Sequence, residues 1–334
     1  MTIRFALLGA GRIGKVHARA ITSNPTARLA AVADAMPKAA DDIAAQYGCE
    51  VRTIDAIAGA ADIDAVVICT PTDMHADLIE KFSNAGKAIF CEKPIDLSVQ
   101  RVRDCLGVVA ANKTLLMVGF NRRFDPHFMA VKAAIDNGEI GDVEMVTIVS
   151  RDPGPPPIDY VKRSGGIFRD MTIHDFDMVR FLLREDIVTV SAQASVLVDK
   201  AIGAAGDYDS VSVMLATASG KHATISNSRR ATYGYDQRIE AHGSFGSVAA
   251  ENQRAVSIEI ANAKGYTRPP LYDFFMTRYT QAYANEIAAF IDAIGGKGPA
   301  SPSGQDGLIA LALADGAVKS VKEGRAVKVS EVLG

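Results

Sequence analysis

The sequence predicts two domains of different class: an α/β domain with a parallel sheet over residues 1–120, and an α+β domain over residues 121–334 built on a large, mostly antiparallel open sheet. Three observations predict this division. Short apolar strands alternate with helical patterns up to about residue 120. Beyond that point, longer segments alternate apolar and polar residues at period two. The length of 334 residues also fits about two domains.

The first element is an apolar run, residues 3–8, that breaks into the pattern Gly9-x-Gly11-x-x-Gly14 and continues with helical spacing. In a dinucleotide site, Gly9 permits the tight strand-to-helix turn, Gly11 lets backbone N–H groups approach a diphosphate, and Gly14 lets the helix pack closely. The positive end of the new helix then faces the diphosphate. The predicted diphosphate site comprises Gly9, Gly11, Arg12, Ile13 and Gly14.

Glycine triplets also occur in ordinary turns, so they do not by themselves indicate a dinucleotide site. The second strand supplies the evidence that favours such a site. It covers residues 29–33 and ends in Asp34, where the adenosine ribose hydroxyls need an acceptor. The pattern therefore predicts a Rossmann domain. It favours NAD over NADP as the cofactor, because a carboxylate would repel the 2′-phosphate. Arg12 and Lys38 are nearby cations that would soften this discrimination.

Two further strands carry polar residues at their carboxyl ends. Residues 64–69 form a buried strand that ends at a Thr-Pro pair, and residues 88–91 form another that ends at a Glu-Lys pair. Open parallel sheets bind ligands at the carboxyl ends of their strands. The residues predicted to lie along the cofactor are Thr70, Pro71, His75, Glu92 and Lys93. The alternatives are a solvated first-turn histidine and a surface ion pair of little energetic value.

The remaining elements follow from periodicity and from turn residues. The first domain is predicted to add strands over 49–52 and 115–119 and helices over 39–46, 73–84 and 98–112. The second is predicted to contain helices over 126–137, 274–294 and 307–322 and strands over 143–149, 188–198, 208–218, 222–228, 237–242 and 256–260. A proline-rich loop, residues 153–157, is either a plain connector or a modifier of the pocket. We expect Val190, Val211, Val213 and Ile225 on a sheet face that a second subunit covers.

Composition excludes several classes of function. The net charge is −3, so nothing suggests binding to nucleic acid or to an anionic membrane. The apolar runs are too short to span a bilayer, and a strand that begins at Ile3 leaves no room for a signal peptide. The four cysteines and six histidines are scattered, without metal-ligand spacing. We therefore expect a cytoplasmic protein with reduced thiols and no metal.

Residues 164–177 contain the candidate acid–base residues of the second half of the chain, and a glycine pair there leads into a predicted helix. Asp170 and His174 are four residues apart and would project from one face, which Asp177 extends by a turn. A carboxylate beside a histidine orients the imidazole and stabilises its protonated form. The alternative is an ordinary Asp–His pair on a helix surface. A hydride-carrying cofactor requires an acid–base residue somewhere, which favours the catalytic interpretation.

Oxidation of a secondary alcohol requires removal of the hydroxyl proton as hydride leaves the carbon. His174 would take the proton, and the Lys93 ammonium would polarise the oxygen and stabilise developing negative charge. Asp170 would hold His174. The predicted catalytic residues are therefore Lys93, Asp170 and His174.

Four segments together resemble the glucose–fructose oxidoreductase / inositol dehydrogenase / MocA superfamily. They are GAGRIG at 9–14, CTPTDMH at 69–75, Glu92-Lys93-Pro94, and GGIFRDMTIHDFD at 165–177. The resemblance covers essentially the whole chain. Within the superfamily, the segment from Asp170 to Asp175 and RRATYGYDQ at 229–237 are most similar to NAD-dependent inositol 2-dehydrogenases.

The resemblance implies an oxidoreductase of carbohydrate catabolism that oxidises a cyclic polyol with NAD, in particular myo-inositol to 2-keto-myo-inositol (scyllo-inosose). It also implies that Lys93, Asp170 and His174 are the catalytic trio and that the protein is a homotetramer, with a dimer as the fallback. The alternatives are another inositol isomer or a pyranose sugar as the substrate, and a non-catalytic NAD-binding regulator.

The second domain is expected to bind the substrate and to form the oligomer. The resemblance places Asp177, Tyr233 and Tyr283 among the groups that face the substrate. A polyol pocket needs many donors and acceptors, which Arg122 and Tyr160 would add, although either is more often a surface residue. The predicted substrate contacts are Lys93, Arg122, Tyr160, His174, Asp177, Tyr233 and Tyr283.

Overall fold

The computed structural model describes residues 2–334 and divides into two compact units. The first unit comprises the chain up to Phe124 together with Thr280–Leu311. The second comprises Asp125–Tyr279 together with Ala312–Gly334. The predicted boundary near residue 120 lies close to the first crossover. Residues 280–311, which the sequence analysis assigned to the second domain, return to the first unit.

The first unit is built on six parallel strands in the order β3-β2-β1-β4-β5-β6. They are β1 (Ile3–Leu8), β2 (Ala27–Ala33), β3 (Glu50–Val51), β4 (Ala65–Ile68), β5 (Ala88–Glu92) and β6 (Leu116–Gly119). The central strands are continuous apolar runs because helices cover both faces of the sheet; every residue of β4 is buried. The order reverses between β1 and β4, the point at which such sheets bind dinucleotides. The predicted Rossmann fold is confirmed.

Helices of the first unit follow the strands in alternation. They are α1 (Arg12–Thr22), α2 (Pro37–Tyr47), α3 (Ile54–Ala58), α4 (His75–Asn84) and α5 (Val99–Ala111), with 3₁₀ turns at Thr72–Met74 and Asn121–Phe124. Local sequence determines where several of them begin. Ser98, for example, caps α5 by accepting a hydrogen bond from the backbone N–H of Arg101.

The second unit contains most of the remaining helices: α6 (Pro126–Asp136), α7 (Ile158–Val161), α8 (Ile173–Leu183), α9 (Lys200–Ala204), α10 (Phe275–Arg278) and α13 (Ser330–Leu333). The chain returns to the first unit through α11 (Thr280–Ile294) and leaves it along α12 (Gly304–Glu323). Phe290 on α11 packs against Phe5 of β1 and Phe90 of β5, with ring centroids 6.1 Å and 5.8 Å away. These contacts explain why the return segment belongs to the core of the first unit, which its own sequence does not reveal.

The second unit is organised around a seven-stranded sheet in the order β12-β11-β7-β10-β9-β8-β15. Its strands are β7 (Val143–Arg151), β8 (Ile187–Ser195), β9 (Ser210–Thr217), β10 (His222–Ser228), β11 (Asp236–Gly243), β12 (Gly246–Ala250) and β15 (Val327–Lys328). Only the β7–β10 pair is parallel, so the predicted, mostly antiparallel sheet is confirmed. A separate hairpin pairs β13 (Ile260–Asn262) with β14 (Gly265–Thr267).

One face of this sheet is covered by the chain itself. Val190, Val211, Val213 and Ile225 are all at most 4% exposed, so the expectation that a second subunit covers them is wrong. The C-terminal half of α12 supplies part of the cover: the Ser320 hydroxyl accepts a hydrogen bond from the backbone N–H of Ala192 on β8. The opposite face carries residues such as Ser212, Met214 and Thr224, which are exposed.

The predicted strand over 256–260 is absent, and β12 was not predicted. Val256, Ile258 and Ile260 alternate as a strand would, but each is more than 50% exposed and no sheet pairs with residues 256–259. The β12 segment begins at a glycine and is short, so its period-two signal is weak. None of the described helices is long and apolar enough to cross a membrane.

Candidate active site

The turn between β1 and α1 needs glycine at two positions for steric reasons. Gly9 has φ +99°, and a Cβ there would lie 2.5 Å from the carbonyl oxygen of Cys69. A Cβ on Gly14 would lie 2.0 Å from the carbonyl oxygen of Gly9. The close approach of helix and strand predicted from the sequence is therefore present.

Gly11 differs from these two because a Cβ there would meet nothing within 4 Å. It is the N-cap of α1 and makes no side-chain cap. The backbone N–H groups of the first turn, including those of Arg12 and Ile13, have no acceptor within the helix itself. An open space beside a glycine, at the positive end of a helix, suits a diphosphate.

Asp34 connects the end of β2 to this turn. Its Oδ2 accepts a hydrogen bond from the backbone N–H of Ala10 at 2.6 Å, and its Oδ1 accepts one from Met36 at 2.7 Å. The carboxylate is only half-buried, and each oxygen has a second lone pair. Asp34 is thus held beside the glycine turn with acceptor capacity left for ribose hydroxyls.

The segment after β4 contains an orphaned polar atom. The Thr70 hydroxyl is buried and has no hydrogen-bond partner among the described residues, whereas Pro71 is exposed. A buried hydroxyl without a partner is costly unless a ligand or water satisfies it. Together with Gly11 and Asp34, it fits the predicted contact with a dinucleotide.

His75 is almost fully buried at the start of α4. Its Nδ1 lies 2.7 Å from the carbonyl oxygen of Pro94, and its Nε2 lies 2.8 Å from that of Thr70. Burial lowers the pKa of His75, although the hydrogen bonds to both carbonyls oppose the shift. The imidazole thus links the segments that follow β4 and β5, and its contact with the cofactor stays a prediction.

Lys93 and Arg122 follow the carboxyl ends of neighbouring strands, since Glu92 of β5 pairs with Gly119 of β6. Lys93 is half-buried and Arg122 is buried. Glu92 is buried too, and its Oε1 is hydrogen-bonded to Nε2 of His17 on α1 at 2.6 Å. Tyr283, predicted to face the substrate, is buried on α11, where its ring meets His17 edge-on.

In the second unit, the segment with Asp170 and His174 is not one continuous α-helix. Phe168–Thr172 form a π-helical turn that contains Asp170, and α8, which carries His174, begins only at Ile173. Gly165 and Gly166 precede the turn with φ +82° and +85°. The expected i, i+4 arrangement on a regular helix is therefore modified by a wider turn, a feature frequent at functional sites.

Asp170 has two neighbours that place its carboxylate. Oδ1 accepts a hydrogen bond from the Tyr160 hydroxyl at 2.7 Å, and Oδ2 accepts one from Nη2 of Arg229 at 2.8 Å. Arg229 is 3% exposed and its Nη1 also lies 3.2 Å from Oδ2 of Asp152. Burial lowers the pKa of Arg229, but the charges of Asp170 and Asp152 outweigh it and leave the guanidinium firmly protonated.

The pairing of Arg229 with Asp170 was not predicted. Arg229 and Arg230 are adjacent after β10, and composition cannot distinguish them; burial does, because Arg229 is enclosed and Arg230 is exposed. Tyr160, which is predicted to contact the substrate, bonds to Asp170 in the structure. The fold brings the two side chains together, because ten residues separate them along the chain. This cluster holds Asp170 as a carboxylate.

Asp177, the other predicted site residue on α8, is fully buried. So is Asp175, to which the sequence analysis gives no role: its Oδ1 accepts from the Ser150 hydroxyl at 2.8 Å and its Oδ2 accepts from Nδ2 of Asn227, also at 2.8 Å. The Thr172 hydroxyl donates to Oδ1 of Asn227 at 2.6 Å. These bonds fix α8 and the preceding turn to β7 and β10.

Tyr233 belongs to a different network. Its hydroxyl donates to Oδ2 of Asp236 at 2.6 Å and accepts from Nη1 of Arg151 at 3.0 Å. Burial and the bond to Asp236 raise the pKa of Tyr233. Its ring is half exposed and, with Arg151 and Arg230, lines a polar groove of about 460 Å³ in the second unit.

Fold and site define a dinucleotide-binding oxidoreductase. The chain belongs to the GFO/IDH/MocA family: residues 3–120 match the model of the oxidoreductase family with an NAD-binding Rossmann fold, and residues 128–249 match the GFO/IDH/MocA C-terminal domain. It is an NAD-dependent enzyme, as the sequence predicted.

Individual relatives match over nearly their whole length. The chain is 74% identical to an inositol 2-dehydrogenase of Rhizobium meliloti (strain 1021), over 99% of this chain and 100% of that one. It is similar to the crystal structure of a myo-inositol dehydrogenase from Corynebacterium glutamicum, with 44% identity, a TM-score of 0.94, and 98% and 99% of the two chains covered. A scyllo-inositol dehydrogenase from Lactobacillus casei, solved with NAD(H) and scyllo-inositol, is 30% identical, with a TM-score of 0.92 over 99% and 100% of the chains.

Proposed function

We propose that this enzyme oxidises myo-inositol at one secondary hydroxyl to the ketone 2-keto-myo-inositol, with NAD as the hydride acceptor. The observation that carries the proposal is the 74% identity with an inositol 2-dehydrogenase along the complete chain. The site supports it, because oxidation of an alcohol by NAD needs a dinucleotide cradle and an acid–base group. The chain offers Gly11 and Asp34 for the first, and His174 for the second.

In the proposed mechanism, His174 accepts the hydroxyl proton and the Lys93 ammonium donates a hydrogen bond to the same oxygen, where negative charge develops. Bound NAD supplies the acceptor for the hydride. Asp170 stabilises the positive charge that His174 acquires, and the bonds from Tyr160 and Arg229 keep Asp170 ionised and oriented. Removal of the proton and stabilisation of the oxygen lower the barrier to hydride loss from the carbon.

A polyol ring presents several hydroxyls, so a pocket for it must be rich in donors and acceptors. Arg122, Tyr160, Asp177, Tyr233 and Tyr283 are the residues that we propose for these contacts, in addition to Lys93 and His174. Arg122 and Tyr283 keep 4% and 6% of their surface exposed, whereas Asp177 has none, so a contact between Asp177 and the substrate requires neighbouring side chains to move.

The second candidate is the same reaction on scyllo-inositol, which differs from myo-inositol in the orientation of one hydroxyl. The observation that favours it is the similarity to the scyllo-inositol dehydrogenase from Lactobacillus casei over the full chain. Its lower identity, 30% against 74%, makes myo-inositol the better-supported substrate. A pyranose sugar is a weaker alternative.

We also propose a cytoplasmic homotetramer that acts in carbohydrate catabolism. Exposed apolar side chains support assembly: Val256, Ile258, Ile260 and Tyr266 each leave more than half of their surface uncovered, in the excursion around β13 and β14. Large apolar patches on a surface mark interaction sites. The four free cysteines support a reducing compartment.

The test is the appearance of NADH when the protein meets a panel of myo-inositol, scyllo-inositol and glucose, each with NAD and with NADP. We expect strong reduction of NAD by myo-inositol and little by glucose. Activity confined to scyllo-inositol or to glucose would keep the mechanism and discard myo-inositol. No turnover with any member, while NAD still binds, would contradict the proposed function.

A further inference from the structure

The first unit encloses a cluster of two carboxyl groups and one imidazole that the proposed chemistry does not use. His17 on α1 and Glu286 on α11 are both 0% exposed, and Glu92 at the end of β5 is 8% exposed. One nitrogen or oxygen from each residue lies within 4.8 Å of the others. All three come from elements of the same unit, and Glu92 directly precedes Lys93.

The cluster has too few hydrogen-bond donors for two ionised carboxylates. Nε2 of His17 donates to Oε1 of Glu92 at 2.6 Å and lies 4.0 Å from Oε1 of Glu286. Nδ1 of His17 and both carboxyl oxygens of Glu286 are buried without a hydrogen-bond partner among the described residues. An imidazole with an unpartnered Nδ1 is best accommodated as the neutral Nε2–H tautomer, because a buried N–H without an acceptor is costly.

Glu92 is therefore the carboxylate that the imidazole satisfies, and Glu286 has no donor of its own. An ionised carboxylate without hydrogen bonds in an apolar interior is far less stable than the neutral acid. The titratable groups that face Glu286 are His17 from α1, Glu92 from β5 and the Cys69 thiol beyond β4. Burial raises the pKa of Glu286 well above its usual range, and the charge of Glu92 raises it further.

The same three residues have the donor types of a metal site, but their geometry indicates a hydrogen bond. Two ligands of one tetrahedral zinc ion, each about 2.1 Å from it, lie roughly 3.4 Å apart. The separation of 2.6 Å between Nε2 of His17 and Oε1 of Glu92 is shorter and is that of a charge-assisted hydrogen bond. The shell around His17 is aromatic, with Phe90 at 5.1 Å and Tyr283 at 5.5 Å between ring centroids.

We propose that Glu286 carries a proton in the folded protein and that, as a neutral side chain behind the His17–Glu92 pair, it is a positioning residue for Lys93. The end of β5 then faces a single negative charge, that of Glu92. If Glu286 were ionised as well, the two carboxylates would repel each other. His17 holds that charge in place, and the backbone of Glu92 continues into Lys93. The positioning role rests on the proposed function of Lys93, whereas the proton on Glu286 does not.

The proton is tested by urea unfolding of the wild type and of Glu286→Gln between pH 5.5 and pH 7.5, a range above the ordinary Glu pKa of about 4.3. In this range Glu286 holds a proton in the folded protein and has lost it in the unfolded chain, so the contribution of Glu286 to stability falls as pH rises. Glutamine copies the neutral acid and cannot titrate. We expect the unfolding constant of the wild type, relative to that of the variant, to rise with pH, by about tenfold per pH unit as long as Glu286 stays protonated in the folded protein. Glu139→Gln, an exposed carboxyl, is the control and should give no such trend.

Infrared difference spectra give an independent readout, because only a protonated carboxyl shows a carboxylic acid carbonyl band. We expect Glu286→Gln to remove such a band and Glu92→Gln to leave it. The proposal would be overturned if the ratio of the unfolding constants of the wild type and Glu286→Gln did not depend on pH. It would also be overturned if Glu286→Gln kept every carboxylic acid carbonyl band of the wild type. A rise in the Tm of the wild type, but not of Glu286→Gln, on addition of Zn²⁺ would overturn it too, because that result identifies a cation site.

The positioning role is tested by comparing NADH production with myo-inositol in Glu286→Ala and Glu286→Gln. Alanine leaves the space behind the His17–Glu92 pair empty, whereas glutamine fills it with a neutral side chain of the same shape. We expect kcat to fall at least tenfold in the alanine variant, with KM for NAD little changed, and to stay near that of the wild type in the glutamine variant. Equal kcat in the two variants would overturn the positioning role. If Lys93 proves dispensable, that role fails with the proposed function, while the stability and infrared results still decide the proton on Glu286.

Discussion

Arg229 and Asp170 form a buried ion pair, with Nη2 of Arg229 2.8 Å from Oδ2 of Asp170. Replacing Arg229 by Gln leaves the Asp170 and Asp152 carboxylates without their cation, and breaking a buried pair in this way costs about 3 kcal/mol. We expect this loss in the free energy of unfolding in urea. We also expect at least a tenfold loss of turnover, with the Kd for NAD unchanged, since that site lies in the other unit.

Arg230→Gln is the matched control for Arg229→Gln. Arg230 is the next residue and is exposed, and surface substitutions usually change stability by less than about 0.5 kcal/mol. Equal effects of the two substitutions would contradict a specific role for the Arg229–Asp170 pair.

Replacing His174 by Ala should remove the proton acceptor for the substrate hydroxyl. We expect kcat to fall by roughly 10²- to 10⁴-fold, the usual contribution of general acid–base catalysis, and NAD binding to remain nearly intact. NADH production and NAD titration measure the two quantities separately. His127→Ala, an exposed histidine on α6, should behave as the wild type. Turnover near that of the wild type in His174→Ala would mean that another residue is the base.

Asp34→Ser should weaken the preference for NAD over NADP. Asp34 is fixed by the N–H groups of Ala10 and Met36, so its charge cannot move away from a 2′-phosphate. We expect the ratio of kcat/KM for NAD to that for NADP to fall at least tenfold. Asp41→Ser, at an exposed position on α2, controls for a general loss of negative charge. Unchanged discrimination would refute the assignment of Asp34.

Gly11→Ala and Gly14→Ala should fail in different ways. A methyl group on Gly11 meets no protein atom within 4 Å and extends into the space proposed for the diphosphate, so the variant should fold and lose NAD affinity. A methyl group on Gly14 would lie 2.0 Å from the Gly9 carbonyl oxygen, so the variant should be destabilised or insoluble. Circular dichroism and NAD titration separate the two outcomes. Normal NAD affinity in Gly11→Ala would contradict the proposed position of the diphosphate.

Asp306 should stabilise the protein in a pH-dependent way. Burial raises the pKa of Asp306, but Arg123 and the N–H of Ser303 outweigh it and lower the pKa to about 2. Because the folded pKa lies below the ordinary value of about 3.9, this stability is complete above pH 4 and is lost as pH falls toward 2. At pH 7 we expect the free energy of unfolding of Asp306→Asn to be about 2 kcal/mol lower than that of the wild type. Urea unfolding should show a smaller gap at pH 3, and a constant gap would contradict this account.

The Rossmann domain could be predicted from the sequence because its signals are local. A buried parallel strand reads as an apolar run, as β4 does, and the glycines at 9, 11 and 14 have steric roles that depend on a few neighbouring residues. The same holds for Asp34, which is placed by the strand that it ends. Such features can be predicted from neighbouring residues alone, because they do not depend on contacts between distant segments.

Other features depend on contacts between distant segments and could not be predicted. The partner of Asp170 is 59 residues away, and nothing in the Arg229-Arg230 pair shows which of the two is enclosed. The face with Val190 was assigned to a second subunit because periodicity gives the apolar side of a strand but not what covers it. The π-helical turn before α8 was missed because its residues also suit an α-helix.

The return of residues Thr280–Leu311 to the first unit has a consequence for the order in which the protein is made. Phe290 packs on the rings of both Phe5 and Phe90. The ribosome adds Phe5 and Phe90 early, whereas it adds Phe290 about 200 residues after Phe90. Until then the nascent N-terminal half lacks part of its core, so it cannot complete folding as a separate module during synthesis. The sheet of the second unit likewise stays incomplete until β15 has been made, so neither unit can complete its structure from the first half of the chain alone.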